Sequence, residues 1–425
     1  MLTMGDVITT FGEIICRETP KHPQRARRVF LAGLRAFGLG LRAKPDPALP
    51  SSRQYIAALC NQAVAGTLAH PGHSALTSVF LPCELLHCFG IRPMCAEVFS
   101  AFVNGARAEK VFVEAAEAFG VPETYCSYHK VLMGGALSGV LPRPGFIVNT
   151  SLACDANNLT FRALAAQYRI PQFYVDVPSR RDEESVRYVA DQLRDLTAFL
   201  EEQTGRKLNE AALRKTMECS RRTIENFRAC MPYRRDRYLP TDLTSEMYEI
   251  FTTHIALGTP EAEHYSELLL RDFRSAPPAC GIRLVWVHTI PQWQEPLRAL
   301  FNHSEQYQVI ACDFNHESLL DMDPEQPYES MARRLVYSAY GGSAQIRADT
   351  ARALARELHA DGAVCFCHWG CKQTMGASVL LQSALEADGI PTLILNGDGC
   401  DRTNSSDGQV ATRMHAFLEM LEDRR

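Results

Sequence analysis

The stretch Phe146-Ile147-Val148-Asn149-Thr150-Ser151-Leu152-Ala153-Cys154-Asp155 decides the fold of this chain. Its apolar first half predicts a buried strand, and a thiol follows where that strand ends. A helix-compatible stretch and an Ile170-Pro171 step then lead into a second apolar run. The same order recurs around Cys371, which follows the apolar residues 363–367 and precedes an Ile390-Pro391 step. The chain therefore carries a strand, thiol, helix, strand pattern twice.

This alternation predicts an α/β fold with two Rossmann/flavodoxin-like lobes whose parallel sheets face a central cleft, plus N-terminal and connecting helices. Ligands of such sheets bind beyond the carboxyl ends of the strands, so both thiols are expected over one cleft. The predicted divisions are an N-terminal helical segment at 1–75, a first lobe at 76–190, a helical connector at 191–279 and a second lobe at 280–425. Strands are expected at 79–82, 146–150, 172–176, 282–288, 308–313, 363–367 and 392–395, and a C-terminal amphipathic helix at 409–421.

Composition excludes several classes of function. Hydrophobic residues make up 46% of the 425 residues, which is ample for packed cores, and the formal net charge of -5 argues against nucleic acid as the main partner. No apolar run approaches the roughly 18 residues that span a membrane, and residues 1–16 lack the pattern of a secretion signal, so we expect a cytoplasmic protein. Gly38-Leu39-Gly40 lacks the rest of a dinucleotide fingerprint, so nucleotide chemistry is expected to come from another protein.

Fifteen cysteines are many for this length, and in a reducing compartment they are expected as thiols, not disulfides. Thiolates are the usual ligands of iron-sulfur clusters, and three thiolates leave one iron of a cubane open. Cys365, Cys367 and Cys371 are grouped as in a zinc site, but no second Cys-x-x-Cys knuckle accompanies them. Cys365 and Cys367 alternate along one strand and share a face, so either one is a possible ligand and Cys365 is the better candidate for core.

Several ordered motifs resemble one family. They are Tyr125-Cys126-Ser127-Tyr128-His129-Lys130, Ala153-Cys154-Asp155-Ala156-Asn157-Asn158, Asp176-Val177-Pro178, Gly370-Cys371-Lys372, Gly397-Asp398-Gly399-Cys400-Asp401-Arg402 and the stretch 409–419. Together they resemble the 2-hydroxyacyl-CoA dehydratase family, D-component type, which includes benzoyl-CoA reductase subunits. The resemblance runs from about Ser78 to the C-terminus.

The resemblance implies an oxygen-sensitive [4Fe-4S] cluster on three cysteines, which match Cys126, Cys154 and Cys371. It implies an electron delivered at very low potential by a separate homodimeric, ATP-hydrolysing iron-sulfur activator. In the dehydratases this electron converts an acyl-CoA thioester to a ketyl radical, which expels the 2-hydroxyl group, and the electron is then recovered. The dehydratases pair with a related subunit as heterodimers.

A double-cubane branch of the same superfamily is also similar, and it implies an [8Fe-9S] cluster, a homodimer and reduction of small molecules. Cys83, Cys400 and Cys367 (or Cys365) would complete its six thiolates, since Cys83 and Cys400 also follow strand-like runs. The two branches stay open at this point. So do a non-catalytic electron carrier or scaffold and a zinc-stabilised α/β module.

Other polar residues are weaker candidates. His129 and Lys130 lie beside Cys126, where they would hydrogen-bond a cluster sulfide or donate a proton, and a surface role at a helix start is the alternative. His288 ends a predicted strand of the second lobe, as a site residue or as a core histidine. The residues that follow the last strand, Asp398, Asp401 and Arg402, would form a turn and an ion pair or act in catalysis. Arg180-Arg181 and Arg333-Arg334 are candidates for a basic rim around acyl-CoA phosphates.

Overall fold

The computed structural model describes residues 4–317 and 319–424, so residues 1–3 of the predicted N-terminal segment and residues 318 and 425 of the predicted second lobe lie outside it. Within this range the chain forms two four-stranded parallel sheets, ordered β2-β1-β3-β4 and β6-β5-β7-β8. The strands are β1 (Ser74–Thr77), β2 (Arg92–Cys95), β3 (Phe146–Thr150), β4 (Gln172–Val175), β5 (Ile282–Val287), β6 (Tyr307–Cys312), β7 (Gly362–His368) and β8 (Thr392–Gly397). The predicted α/β fold with two Rossmann/flavodoxin-like lobes is confirmed.

Helices cover both sheets and connect them. In the first half of the chain they are α1 (Met4–Glu18), α2 (Pro23–Ala43), α3 (Ser51–Ala69), α4 (Glu84–Cys88), α5 (Ala96–Gly105), α6 (Glu109–Ala118), α7 (Ser127–Ser138), α8 (Asp155–Tyr168) and α9 (Glu183–Thr204). In the second half they are α10 (Glu210–Asp236), α11 (Leu243–Ile250), α12 (Pro260–Ser275), α13 (Glu295–Phe301), α14 (Asp313–His316), α15 (Pro327–Val336), α16 (Ala344–Glu357), α17 (Lys372–Glu386) and α18 (Asp407–Glu422).

The two sheets have the same strand order, and this order positions the site. In the first sheet the chain passes from β1 to the edge strand β2 and then to β3 on the opposite side of β1, and β5, β6 and β7 repeat this path in the second sheet. A topological switch point therefore lies between β1 and β3 and another between β5 and β7. Every residue of β3 and β7 is buried, as their near-continuous apolar sequences predict. Cys154 follows β3 and Cys371 follows β7. Both thiols thus lie at the crevice where open α/β sheets bind ligands.

One predicted strand is wrong. The apolar run 79–82 forms a buried turn, and the first strand is instead the more polar β1, while β2 went unpredicted. The run is apolar because Phe80 packs on aromatic side chains of the second lobe, with ring centroids 5.6 Å from Phe314 and 5.3 Å from Tyr340. These residues are apolar because a distant part of the chain buries them, and their composition is therefore the same as that of a buried strand.

The helical expectations are confirmed in kind. Helices α1 to α3 occupy the start of the chain, and α2 and α3 are separated by the Pro-rich break around residue 47. Helices α9 to α12 connect the two lobes, and α18 is the C-terminal helix. The predicted division points at 75, 190 and 279 stay predictions, because one hydrophobic core runs through the N-terminal helices, the connector and both lobes. No helix in the described part of the chain has the length and apolarity to cross a membrane.

Candidate functional site: three thiols at helix starts

Three cysteines each occupy the N-cap position of a helix. Cys126 precedes α7, Cys154 precedes α8 and Cys371 precedes α17. The Cys154 Sγ accepts a hydrogen bond from the backbone N–H of Asn157 at 3.4 Å. The first N–H groups of a helix have no partner within it and carry partial positive charge, so this position favours the thiolate form of cysteine.

The three thiols converge although they come from both lobes. Cys126 lies within electrostatic range of Cys154 and Cys371, and Cys154 lies within range of Cys371. The backbone before Cys371 presses against Cys126: a Cβ on Gly370 would lie 2.4 Å from the Cys126 Cα. Only glycine allows this approach, which brings the start of α17 in the second lobe onto the start of α7 in the first.

Burial sets the protonation of these thiols. Cys126 is buried, and Cys154 and Cys371 are half-buried. Loss of water raises the pKa of Cys126 and of Cys154; Cys154 and Cys371 raise that of Cys126 further, and Glu97 and Cys371 raise that of Cys154 further. With no metal bound the two groups are therefore protonated at neutral pH, and a metal would displace these protons on binding.

Two histidines contact this group. His129 Nε2 lies 3.9 Å from the Cys154 Sγ, and His368 Nε2 lies 3.4 Å from the Cys126 Sγ. Burial lowers the pKa of His129 to about 3, with a smaller contribution from His368, so its ring is neutral. Of the two, only His129 was singled out from the sequence.

Lys130 is held away from Cys126 by its own partners. Its Nζ lies 2.7 Å from Glu117 Oε1 and donates to the Glu123 carbonyl at 3.0 Å, and the residue is almost fully buried. It lines a groove outside the thiol group together with Tyr125 and Gly370. In this arrangement Lys130 orders the segment before Cys126.

His288 lies at the switch point of the second lobe. It follows β5 with a left-handed backbone, φ 81°, and its backbone N–H donates to Asp313 Oδ1 at 2.6 Å. Such a conformation costs a non-glycine residue about 1–3 kcal/mol and persists only where its surroundings impose it. The ring is buried, its Nδ1 has no hydrogen-bond partner, and it lies within electrostatic range of Arg347 and His368. The structure thus places His288 within electrostatic range of His368, the histidine whose Nε2 lies 3.4 Å from the Cys126 Sγ.

The additional cysteines have different surroundings. Cys367 is in range of Cys371, and Cys400 is in range of Cys126 while its Sγ bonds the Ser100 carbonyl at 3.7 Å. Cys365 packs in the apolar core between β7 and its covering helices. Cys83 is fully buried beside Cys95, with Glu84 and Arg334 as its charged neighbours. Cys367 and Cys400 are therefore each in range of one of the three thiols, whereas the neighbours of Cys83 are Cys95, Glu84 and Arg334.

Glu97 is a site residue that the sequence reasoning missed. It lies in the first turn of α5, hydrogen-bonds the Cys95 thiol, and its carboxyl is within electrostatic range of Cys126 and Cys154. One carboxyl oxygen is buried with no hydrogen-bond partner. Burial raises the pKa of Glu97, and hydrogen bonds from its own backbone N–H and from Cys95 oppose this rise. The signal was its position directly after β2, a strand too short and polar to be recognised.

The positions of the possible ligand side chains bear on whether the site would hold one metal ion or a cluster. Among residues 4–317 and 319–424, no three Cys, His, Asp or Glu side chains are grouped closely enough to hold one metal ion. A structural zinc ion requires four such ligands on one centre. Each thiolate of an iron-sulfur cubane instead binds its own iron, so the ligands surround a larger space. Thiols are the donors that such a cluster uses, and here both lobes supply them.

Fold and site define a two-lobed α/β protein with thiols of both lobes over the cleft between them. Residues 78–421 match the family described as 2-hydroxyglutaryl-CoA dehydratase, D-component, and the chain belongs to this family. The family resemblance seen in the sequence motifs is confirmed.

Three curated relatives are dehydratase alpha subunits. The (R)-phenyllactyl-CoA dehydratase alpha subunit of Clostridium sporogenes is 23% identical over 80% of this chain and 87% of its own length. The lactoyl-CoA dehydratase subunit alpha of Anaerotignum propionicum is 22% identical over 80% and 89%. The (R)-2-hydroxyglutaryl-CoA dehydratase subunit alpha of Acidaminococcus fermentans is 24% identical over 66% and 61%.

Proposed function

We propose that this chain is the iron-sulfur component of a 2-hydroxyacyl-CoA dehydratase, with a [4Fe-4S] cluster held by Cys126, Cys154 and Cys371. The observation that carries the proposal is that these three cysteines, each at a helix start, come from both lobes and lie within electrostatic range of one another, with Cys154 and Cys371 at the two switch points. When bound, the cluster would supply single-electron transfer at low potential. The chain's residues would hold three irons and leave the fourth open to the substrate.

The surrounding residues would control water and protons. Burial of Cys126, His129 and His368 keeps bulk water from the interior side of the group. Glu97 is a charged neighbour of two of the thiols, and we assign it the proton transfer that accompanies loss of a substrate hydroxyl. His288 and Arg347 would contribute neutral and positive groups from the second lobe.

The three-thiol version is favoured over the double-cubane version by the position of Cys83. An [8Fe-9S] cluster needs three further thiolates, and Cys83 is fully buried with Cys95 and beside the Glu84–Arg334 ion pair, whose atoms are 2.7 Å apart. Its Sγ donates to the Leu81 carbonyl at 3.4 Å. To act as a ligand it would have to leave these contacts.

The partners follow from the proposed chemistry and the relatives. The relatives are named alpha subunits, so we propose a related second subunit, with a 2-hydroxyacyl-CoA thioester as substrate. A separate ATP-hydrolysing iron-sulfur activator would deliver the electron. Such chemistry requires a reducing compartment, and we place the chain in the cytoplasm. A non-catalytic electron carrier with the same cluster would bind the activator but no thioester.

The test is iron and acid-labile sulfide per chain after anaerobic purification. About four irons are expected, and Cys126→Ala, Cys154→Ala and Cys371→Ala are each expected to lose most of them. Cys83→Ala is the buried control that should retain them, and Cys280→Ala is the exposed one. About eight irons, with loss in Cys83→Ala, would establish the double-cubane version, and zinc without iron would refute the proposal. Dehydration of a 2-hydroxyacyl-CoA with added activator separates enzyme from carrier.

A further inference from the structure

His368 is fixed in one orientation beside Cys126. It is the last residue of β7, is 1% exposed, and lies at the boundary between the lobes. Its ring is stacked with Phe366 at a centroid distance of 6.5 Å and meets the ring of Tyr128 edge-on at 5.5 Å. These contacts leave its two nitrogens pointing at different partners.

Those partners determine which nitrogen carries the hydrogen. The backbone N–H of Gly399 donates to His368 Nδ1 at 3.1 Å. A nitrogen that accepts a hydrogen bond uses its lone pair and carries no hydrogen, so the hydrogen of the neutral ring is on Nε2. Nε2 faces the Cys126 Sγ at 3.4 Å, within the range of a hydrogen bond to sulfur.

The Gly399 donor is itself held in place. Asp398 Oδ1 accepts from the backbone N–H groups of Cys400 and Asp401, both at 2.8 Å, and from the Ser127 hydroxyl at 2.5 Å. The Gly399 carbonyl accepts from the Tyr128 hydroxyl at 3.0 Å. A Cβ at Gly399 would lie 2.8 Å from that hydroxyl oxygen, so the loop can approach this closely only with glycine.

We infer that His368 donates its Nε2–H to the Cys126 sulfur, so that this thiol of the first lobe accepts a side-chain hydrogen bond from the second lobe. His368 is a positioning residue from the second lobe acting on a thiol of the first. Its redox consequence rests on the proposed function: a hydrogen bond to a ligand sulfur draws off electron density and stabilises the reduced cluster, which raises the reduction potential.

His129 provides the matched comparison. Its Nε2 lies further from its thiol, 3.9 Å from the Cys154 Sγ, and its Nδ1 has no partner to fix the position of the hydrogen. Both rings are buried, so replacing either one removes a buried imidazole next to a thiol. Only the replacement of His368 removes a ring N–H whose direction is fixed.

The first experiment needs no cluster. In metal-free protein labelled with ¹⁵N-histidine, the two ring nitrogens of His368 are read by NMR, and the signal is assigned by its disappearance in His368→Gln. The expected signature is a neutral ring protonated on Nε2. A ring protonated on Nδ1 overturns the inference whether or not the protein binds iron.

The second experiment measures the reduction potential of the reconstituted protein by redox titration followed by electron paramagnetic resonance. His368→Phe is expected to lower the reduced-to-oxidised ratio at a fixed applied potential about tenfold, the effect of one hydrogen bond to a charged group. His368→Gln, whose amide N–H can replace Nε2–H, should recover part of this loss, and His129→Phe should have a smaller effect. An unchanged ratio in His368→Phe, or an equal fall in His129→Phe, would overturn the inference. Failure to bind iron would instead count against the proposed function, and the NMR result would still decide the hydrogen position.

Discussion

Replacing Glu249 by Gln should destabilise the whole chain, because Glu249 is the centre of a buried ion network. Its Oε1 lies 2.6 Å from Arg53 Nη1 of α3, and its Oε2 lies 2.7 Å from Arg234 Nη2 of α10. Arg53 also pairs with Glu246 at 2.6 Å. All four side chains are at most 1% exposed, and their charges cancel. Glu249→Gln would leave a net positive charge with no access to water.

The magnitude follows from that uncompensated charge. Removing one partner of a buried pair costs about 3–5 kcal/mol, a large part of the stability of an ordinary domain. Tyr265, which donates to Glu249 Oε1 at 3.1 Å, would lose a charged acceptor as well. The assay is urea unfolding of metal-free protein followed by circular dichroism. Glu267→Gln is the control, since Glu267 pairs with His264 on the surface, and such a pair contributes about 0–1 kcal/mol. A free energy of unfolding for Glu249→Gln within about 1 kcal/mol of the control would refute this reasoning.

Two further predictions concern backbone space and pH. Gly370→Ala places a Cβ 2.4 Å from the Cys126 Cα, so it should cost about 1–3 kcal/mol in the free energy of unfolding and weaken iron binding. Gly376→Ala, on α17 with nothing within 4 Å of its added Cβ, should instead stabilise the chain by about 0.5–1 kcal/mol, and equal behaviour of the two variants would contradict the close approach of the lobes. Burial, aided by Arg234, lowers the pKa of His316 to about 3, so the unfolded chain takes up a proton between pH 6.5 and about 3 that the folded chain does not. Stability should therefore fall on acidification through this window, and His316→Gln should lose less of it between pH 7 and pH 5, as measured by the shift in the urea midpoint.

The loop at 397–402 explains how the two sheets share one site. Asn104 of α5 donates to the Cys400 carbonyl at 2.5 Å, and Arg402 reaches back to Glu109 of α6 at 2.8 Å. With the Ser127–Asp398 bond, these contacts fix the second lobe against α5, α6 and α7 of the first. The sequence left Asp398 and Arg402 with either a turn role or a catalytic role. In the structure both residues make contacts that hold the two lobes together.

The sequence by itself determined the strands whose residues are apolar because the strand itself is buried. Strands β3, β5 and β7 are buried on both faces, so their apolar runs indicate them directly, and the thiols after β3 and β7 fall where any parallel sheet presents its ligands. The repeated pattern predicts Cys154 and Cys371 as site residues, and the family motifs add Cys126 as a predicted third thiol.

Only the tertiary structure decided the rest, because the deciding contacts join residues far apart in the chain. The apolar run at 79–82 is packing against Phe314 and Tyr340, not a strand, and no local pattern contains that information. Glu97 and His368 lie near the Cys126 thiol only in the folded chain, because Cys126 is 29 residues after Glu97 and 242 residues before His368. The packed interior determines the direction of each hydrogen bond, the burial of each side chain and the partner of each charge. These properties are therefore defined only when the two lobes are packed together.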